Sequence, residues 1–307
     1  HFVRQRSRTA GSARAPTDSV SPVIDHDVLE RVLSAAMRSG GEFAEIYAED
    51  KRSTSAALDD GRVEQVTSGR DRGAGIRVVA GETTGFAHTS DLTERGLLAA
   101  AEAAAAAARQ GGGGARTIAL SRQDVAAHST VERFPDEIAK AAKVELLQRL
   151  DDAARSAGAE IVQVSAGYAD SRKRVLVANS DGLLAEDEVV RLLVRVSAVA
   201  DGDTGMQTGY ASMGHTVGFE LFDTVDVTEL ARDAARQAIT KLRARPAPSG
   251  TMPVVIKHGT GGVLFHEACG HGLEADHIAK GASVYTGKVG ELVASPLGTV
   301  VDGGTMA

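Results

Sequence analysis

The chain has 307 residues, 43% of them hydrophobic and 24% charged, which excludes wholesale disorder and allows about two domains of ~100–200 residues each. Its 41 acidic side chains outnumber 34 basic ones, for a net charge of −7, which speaks against a nucleic-acid binder held by phosphate contacts. Cys269 is the single cysteine, so a disulfide scaffold is excluded and a reducing, cytoplasmic setting is expected, while no run reaches the ~20 apolar residues of a membrane helix.

Residues 1–24 hold Arg4, Arg6, Arg8 and Arg14 among Ser, Thr and Pro, and without an apolar stretch they read as a disordered tail, not a secretory signal. An α+β unit is expected over 25–114. Val28, Leu29, Val32, Leu33 and Met37 recur at helical spacing and predict a helix over 27–39, closed by Gly40-Gly41. Short alternating runs over 44–87, with Asp60-Gly61 as a hairpin turn and breaks at Gly73, Gly75 and Gly81, predict antiparallel sheet. A second helix is expected over 91–110 with Asp91 as N-cap, running into a linker of four glycines at 111–114.

A second α+β unit is expected over 115–249, with a helix over 136–157, strands near 161–169, 174–179, 189–200 and 205–212, and a helix over 226–245. This order repeats the first unit. A shift of 121 positions lays Tyr47-Ala48-Glu49 on Tyr168-Ala169-Asp170, Ala57 on Ala178 and Asp60-Gly61 on Asp181-Gly182. A shift of 124 lays Gly85-Phe86-Ala87 on Gly209-Tyr210-Ala211. Internal duplication and chance reuse of a common turn both account for these matches.

The joint Pro246-Ala247-Pro248-Ser249-Gly250 marks a boundary, after which a strand is expected over 252–257, a turn over 258–262 and a helix from 263 to 276. Four of the nine histidines, His258, His266, His271 and His277, fall within 20 residues, so site chemistry is sought there. Zinc accepts imidazole, thiolate and carboxylate ligands, and a catalytic site leaves one position open. In a His-Glu-x-x-His helix the two rings lie about 40° apart and face one metal. Here His266 and His271 are five apart, which on an ideal helix turns the second ring about 140° away. Either the two point apart by accident, or the helix widens into a π-type turn or unwinds near Gly270 and Gly272 and brings the rings together. Glu267, beside His266, is the residue type that serves as general base in metal-assisted hydrolysis.

The stretch Gly262-Val263-Leu264-Phe265-His266-Glu267-Ala268-Cys269-Gly270-His271-Gly272-Leu273-Glu274-Ala275-Asp276 resembles the HExxxH signature of the TldD/PmbA (TldE) family, in its metallopeptidase branch. Agreement extends through Gly281, Tyr285, Gly287 and Gly290-Glu291, and the order of elements upstream is similar, so the resemblance covers 25–307. The fold expected is α+β: two related helix and antiparallel-sheet units, then the start of a mostly β catalytic domain over 250–307. The resemblance implies a peptidase with Zn2+ as cofactor, His266 and His271 as metal ligands, and Glu267 as the base that activates water. It also implies a heterodimer with a TldE/PmbA-like subunit, and unfolded or short peptides as substrates, cut inside an enclosed cavity.

In that family the third ligand is a cysteine farther along the C-terminal domain; this sequence reaches Ala307 without it, and the expectation is a truncation within the catalytic domain. In-chain alternatives are Cys269, Glu274, Asp276 and His277. Glu274 and Asp276 read equally well as partners orienting the imidazoles or as a solvated helix end. The rival reading is a non-catalytic subunit that keeps the fold and cannot close a metal site. A regulator of DNA gyrase, the family's older description, finds no support in these residues. A serine hydrolase lacks its Gly-x-Ser-x-Gly elbow, and the Gly281 to Lys288 stretch departs from a phosphate-binding loop in spacing and in Val289.

Overall fold

The computed structural model describes residues 23–108, 117–125, 130–257, 259 and 261–300. Residues 1–22 of the tail expected over 1–24, the four-glycine linker and His258 lie outside the described residues. The chain divides into two compact units, one ending at Ala244 and the other beginning at Arg245.

In chain order the first unit contains α1 (His26–Met37), β1 (Phe43–Asp59), β2 (Arg62–Ala80), β3 (Thr83–Thr89), α2 (Glu94–Ala107), β4 (Ser121–Gln123), α3 (Lys140–Arg155), β5 (Ile161–Asn179), β6 (Leu183–Ala200), β7 (Gln207–His215), α4 (Leu221–Thr224) and α5 (Val227–Leu242). The strands form one seven-stranded sheet in the order β3-β2-β1-β5-β6-β4, with β7 also on β6. Every pairing is antiparallel except β4 with β6. The pairing of β1 with β5 runs unbroken from Glu45↔Asn179 to Asp59↔Ser165, so the two sequence repeats build a single sheet.

Alternation explains which face of the sheet is covered. Ala44, Ile46, Ala48, Ala56 and Leu58 of β1 are buried, while Tyr47 on the other face is 40% exposed and Phe86 of β3 and Tyr210 of β7 more so. The helices cover the first face in two pairs, α1 against α2 and α3 against α5. Each pair closes its own core. One core joins Leu29, Val32 and Leu33 to Ile46, Ile76 and Leu176; the other joins Leu147, Leu150 and Ala234 to Leu58, Val164 and Val194.

The strands expected at 161–169 and 174–179 are one strand, β5. Its polar middle, Asp170-Ser171-Arg172-Lys173, stays in register with both neighbours, because an antiparallel ladder needs backbone partners and not apolar side chains. The β1–β2 hairpin closes as the Asp60-Gly61 pair predicted, both residues having positive φ, 47° and 76°. Helix α2 starts later than expected: Thr93 caps it, accepting from the Gly96 N–H at 3.3 Å, while Asp91 accepts from the Thr93 N–H at 3.0 Å in the turn before. Asp226 caps α5, accepting from the Thr228 N–H at 3.0 Å. Val23 and Ile24, placed in the tail by composition, pack against the first core.

The two glycines that the repeat aligned do the same work. Gly85 on β3 lies against α2 so closely that a Cβ would overlap the carbonyl of Ala104, and Gly209 on β7 lies against α5 so that a Cβ would overlap the carbonyl of Ala234. The helix faces they meet are built of alanine: Ala100, Ala101, Ala104 and Ala105 in α2, and Ala231, Ala234, Ala235 and Ala238 in α5. Small residues on both sides permit a helix-to-strand approach that larger side chains would prevent.

Under α3 lies a buried ion pair. Lys143 Nζ donates to Asp170 Oδ2 at 2.6 Å with both side chains 1% exposed, and the ammonium sits 5.4 Å from the centre of the Tyr168 ring. Burial pushes the Tyr168 hydroxyl above its ordinary range, so it stays protonated.

In the second unit the run over 252–257 is not a strand. Val254 and Val255 are 75% and 96% exposed, and an apolar run with no ladder partner does not hold strand geometry by itself. Short helical segments follow: α6 (Gly262–Phe265), a π turn, a 3-10 turn and α7 (Ala275–Ala279).

Gly209→Ala is expected to lower stability by about 1–3 kcal/mol through overpacking against α5, read as a lower urea midpoint with an unchanged m-value. Lys143→Ala leaves Asp170 charged and buried, and is expected to cost about 3–5 kcal/mol. A double substitution of both partners by apolar residues should recover most of that loss in the same denaturation experiment.

Candidate metal centre

The backbone decides the spacing question. His266–Gly270 form one π-helical turn, in which the His271 N–H donates to the carbonyl of His266, an i→i+5 bond. A turn closed by an i→i+5 bond winds more residues than an α-helical turn, and so brings two side chains five apart toward one side. The rings of His266 and His271 accordingly lie 4.4 Å apart, edge to face at 64°. The ligand-capable atoms of His266, Glu267 and His271 all fall within 4.8 Å of one another, with Glu267 Oε2 at 3.6 Å from His271 Nε2.

Past His271 the helix tightens into a 3-10 turn, His271–Leu273, and there Gly272 is braced. Ser283 Oγ donates to the Gly272 carbonyl and accepts from the Tyr285 N–H, and a Cβ on Gly272 would come within 2.9 Å of the Tyr285 ring. The sequence marked Gly272 as a place for the helix to unwind; the brace was not legible, because Ser283 is 11 residues away and follows no helical period.

The four in-chain candidates for a further ligand separate. Cys269 is outside the cluster of three, and its Sγ donates to the Phe265 carbonyl at 3.1 Å. Glu274 Oε1 lies 2.7 Å from His271 Nδ1 and its Oε2 lies 3.6 Å from His277 Nε2. Asp276 accepts from Lys280 at 3.2 Å. Glu274, Asp276 and His277 form a second group with atoms within 4.8 Å of one another. Of the two roles open to Glu274, the geometry fits orientation: a carboxylate on Nδ1 fixes the tautomer and leaves the Nε2 lone pair free. The same bond holds the His271 pKa above its ordinary value, with the charges of Glu274 and Glu267 adding to it.

The two imidazoles are donors that suit zinc and similar borderline divalent ions and suit calcium or magnesium poorly, and Glu267 stands beside them as a carboxylate. These residues therefore fit a transition-type metal. His266, Glu267 and His271 are all solvent-exposed.

Three family models match the chain in succession: the PmbA/TldA metallopeptidase domain 1 at residues 44–108, the central domain at 133–242 and the C-terminal domain at 249–307. Among curated relatives, a metalloprotease TldD homolog of Haemophilus influenzae is 36% identical, over 86% of this chain and 56% of its own length. A metalloprotease of Methanothermobacter thermautotrophicus is 34% identical, over 92% of this chain and 61% of its own length. The chain thus spans a little over half the length of these relatives. Among solved structures, TldE from Thermococcus kodakarensis superimposes with a TM-score of 0.61 at 16% identity, covering 85% of this chain and 58% of that one. A Thermotoga maritima protein described as a candidate modulator of a DNA gyrase superimposes with a TM-score of 0.70 at 19% identity, covering 86% and 59%. At these identities the structural likeness establishes the α+β fold.

In the metal-free chain, an NMR titration should find His271 deprotonating above the ordinary 6.5 of a histidine. The ion pair with Glu274 is then lost as pH rises through that raised pKa, while the hydrogen bond from Nδ1–H of the neutral ring remains. Glu274→Gln should bring the midpoint down; an unchanged midpoint would show that the bond does not persist in solution.

Proposed function

Because the chain belongs to the PmbA/TldD family of metallopeptidases, we propose that it carries the metal-binding and proton-transfer residues of a zinc-dependent peptidase acting on unfolded or short peptides. The observation that carries this reading is the π turn that gathers His266, Glu267 and His271. His266 and His271 would hold the zinc, together with a third protein ligand that leaves one position open. When bound, the metal supplies Lewis-acid chemistry, polarising the scissile carbonyl and making water more acidic.

The remaining steps belong to the protein. Glu267, adjacent in sequence to one ligand and 3.6 Å from the other, takes a proton from the attacking water and delivers it to the leaving amine. Glu274 keeps the proton of His271 on Nδ1, so that the Nε2 lone pair stays available. The proposal extends to a TldE/PmbA-like partner subunit in a heterodimer and to a cytoplasmic setting. The likeness of this fold to TldE supports the first. For the second there is the single cysteine, and no helix among the described residues is long and apolar enough to cross a membrane.

In the assembled protein, Glu267→Ala should lower hydrolysis of an unfolded substrate by at least about a hundredfold while elemental analysis still finds zinc. His271→Ala should lose both zinc and activity. Full activity in Glu267→Ala would refute the assigned base, and a wild-type protein with neither zinc nor hydrolysis would leave the non-catalytic subunit as the reading.

A further inference from the structure

The arginines at the middle of the sheet point to a second site, in the first unit and independent of the peptidase reading. We propose that the helix-facing side of β1, β2 and β5 forms an oxyanion-binding cleft between the two cores. Register places Arg52 of β1 directly opposite Arg70 of β2 on one side and Arg172 of β5 on the other. Two residues along, Asp50 is opposite Arg72 and Arg174. Side chains alternate with a period of two, so both rows share the face that buries Ala48 and Thr54. Six neighbouring positions therefore hold five arginines and one aspartate.

The two cores stop on either side of these rows. The first reaches Ala48, Ala74 and Leu176; the second begins at Ala56 and Tyr168. Between them is a cavity of about 140 Å3 lined by Asp50, Arg52, Arg70, Arg172 and Arg174. That volume suits a single carboxylate or phosphate group and is well below the several hundred Å3 of a pocket for a larger metabolite.

Like charges directly opposite one another destabilise a sheet, so a row of three arginines across three strands calls for a compensating anion. The chain supplies some of it. Arg70 grips Asp50 with two nitrogens, Arg52 Nη1 donates to Asp136 at 3.0 Å, and Arg172 Nε donates to Glu188 at 3.0 Å while its Nη1 lies 3.7 Å from Asp136 and 3.5 Å from Glu137 and its guanidinium 3.5 Å over the Phe134 ring. Each guanidinium carries five N–H donors in a fixed fork, and these bonds engage only part of them. The side chains of Arg52 and Arg70 are 52% and 47% exposed, so a ligand can reach them. Forked donors match the two oxygens of a carboxylate or the edge of a phosphate. Five arginines against Asp50, Asp136, Glu137 and Glu188 leave a small positive excess here, in a chain of net charge −7, and it favours such groups.

The test is calorimetric titration of the intact protein at constant ionic strength with three probes: inorganic phosphate, a short peptide with a free C-terminal carboxylate, and the same peptide amidated. Saturable binding of phosphate or of the free-carboxylate peptide is expected. A preference for the free over the amidated peptide identifies a peptide terminus as the source, and phosphate binding alone identifies phosphate. Arg52→Gln should weaken binding about tenfold, the loss of one charge-assisted hydrogen bond, and Asp50→Asn, which removes the competing carboxylate, should tighten it. Circular dichroism establishes that each variant is folded, and Arg70→Gln replaces Arg52→Gln should the latter fail to fold. No saturable binding of any probe, or an affinity unmoved by the arginine substitution, would overturn the proposal.

Discussion

The antiparallel pairing of β1 with β5 is the constraint from which the rest of the first unit follows. It joins β1 of one repeat to β5 of the other in an unbroken ladder from Glu45↔Asn179 to Asp59↔Ser165, so neither repeat closes a sheet of its own. Each strand must then serve two cores. One end of β1 packs under α1 and α2, the other under α3 and α5, and the stretch between belongs to neither. Charged residues occupy that stretch because no α-helix packs on it, and the segment that does reach it, Phe134 to Glu137, meets the arginines with a ring and two carboxylates.

Close approach of helix to strand is the second consequence. Both helix pairs lean on outer strands through a glycine, Gly85 or Gly209, and an alanine face. Each of those helices buries mainly alanine, so each contact removes little apolar area, and many close contacts must stand in for large side chains. The equivalence of the two glycines is also the best physical support for the internal repeat: the match of sequence coincides with a match of steric role.

The candidate metal centre depends on one local event. A regular α-helix through His266 and His271 would separate the rings, and the π turn brings them to 4.4 Å. Such a turn gives up ordinary i→i+4 bonds, and it is held here by what flanks it, the Ser283 and Tyr285 brace on Gly272 and the Glu274 bond to His271. The gathering of His266, Glu267 and His271 and the departure from regular geometry are thus the same fact.

Much of this was open to reading from the residues. The helical spacing of Val28, Leu29, Val32 and Leu33 placed α1, Asp60-Gly61 placed the first hairpin, the run over 226–245 placed α5, and the clustered histidines pointed to the segment in which His266, Glu267 and His271 come together, because each of these signals is local in the chain. The sequence also stated the π turn as one of two alternatives, and could not choose, since His271 N–H bonding to the fifth residue back competes with bonding to the fourth by a margin that neighbours such as Ser283 decide. Three features came only with the tertiary structure: the fusion of 161–169 and 174–179 into one strand, the irregular course of 252–257, and the row Arg70-Arg52-Arg172. Each depends on whether a backbone partner is present and in what register, and Arg172 finds Arg52 across 120 residues of intervening chain. Local periodicity determines which residues can form a strand or helix; pairing between distant segments determines how long the strand runs and which side chains it sets side by side.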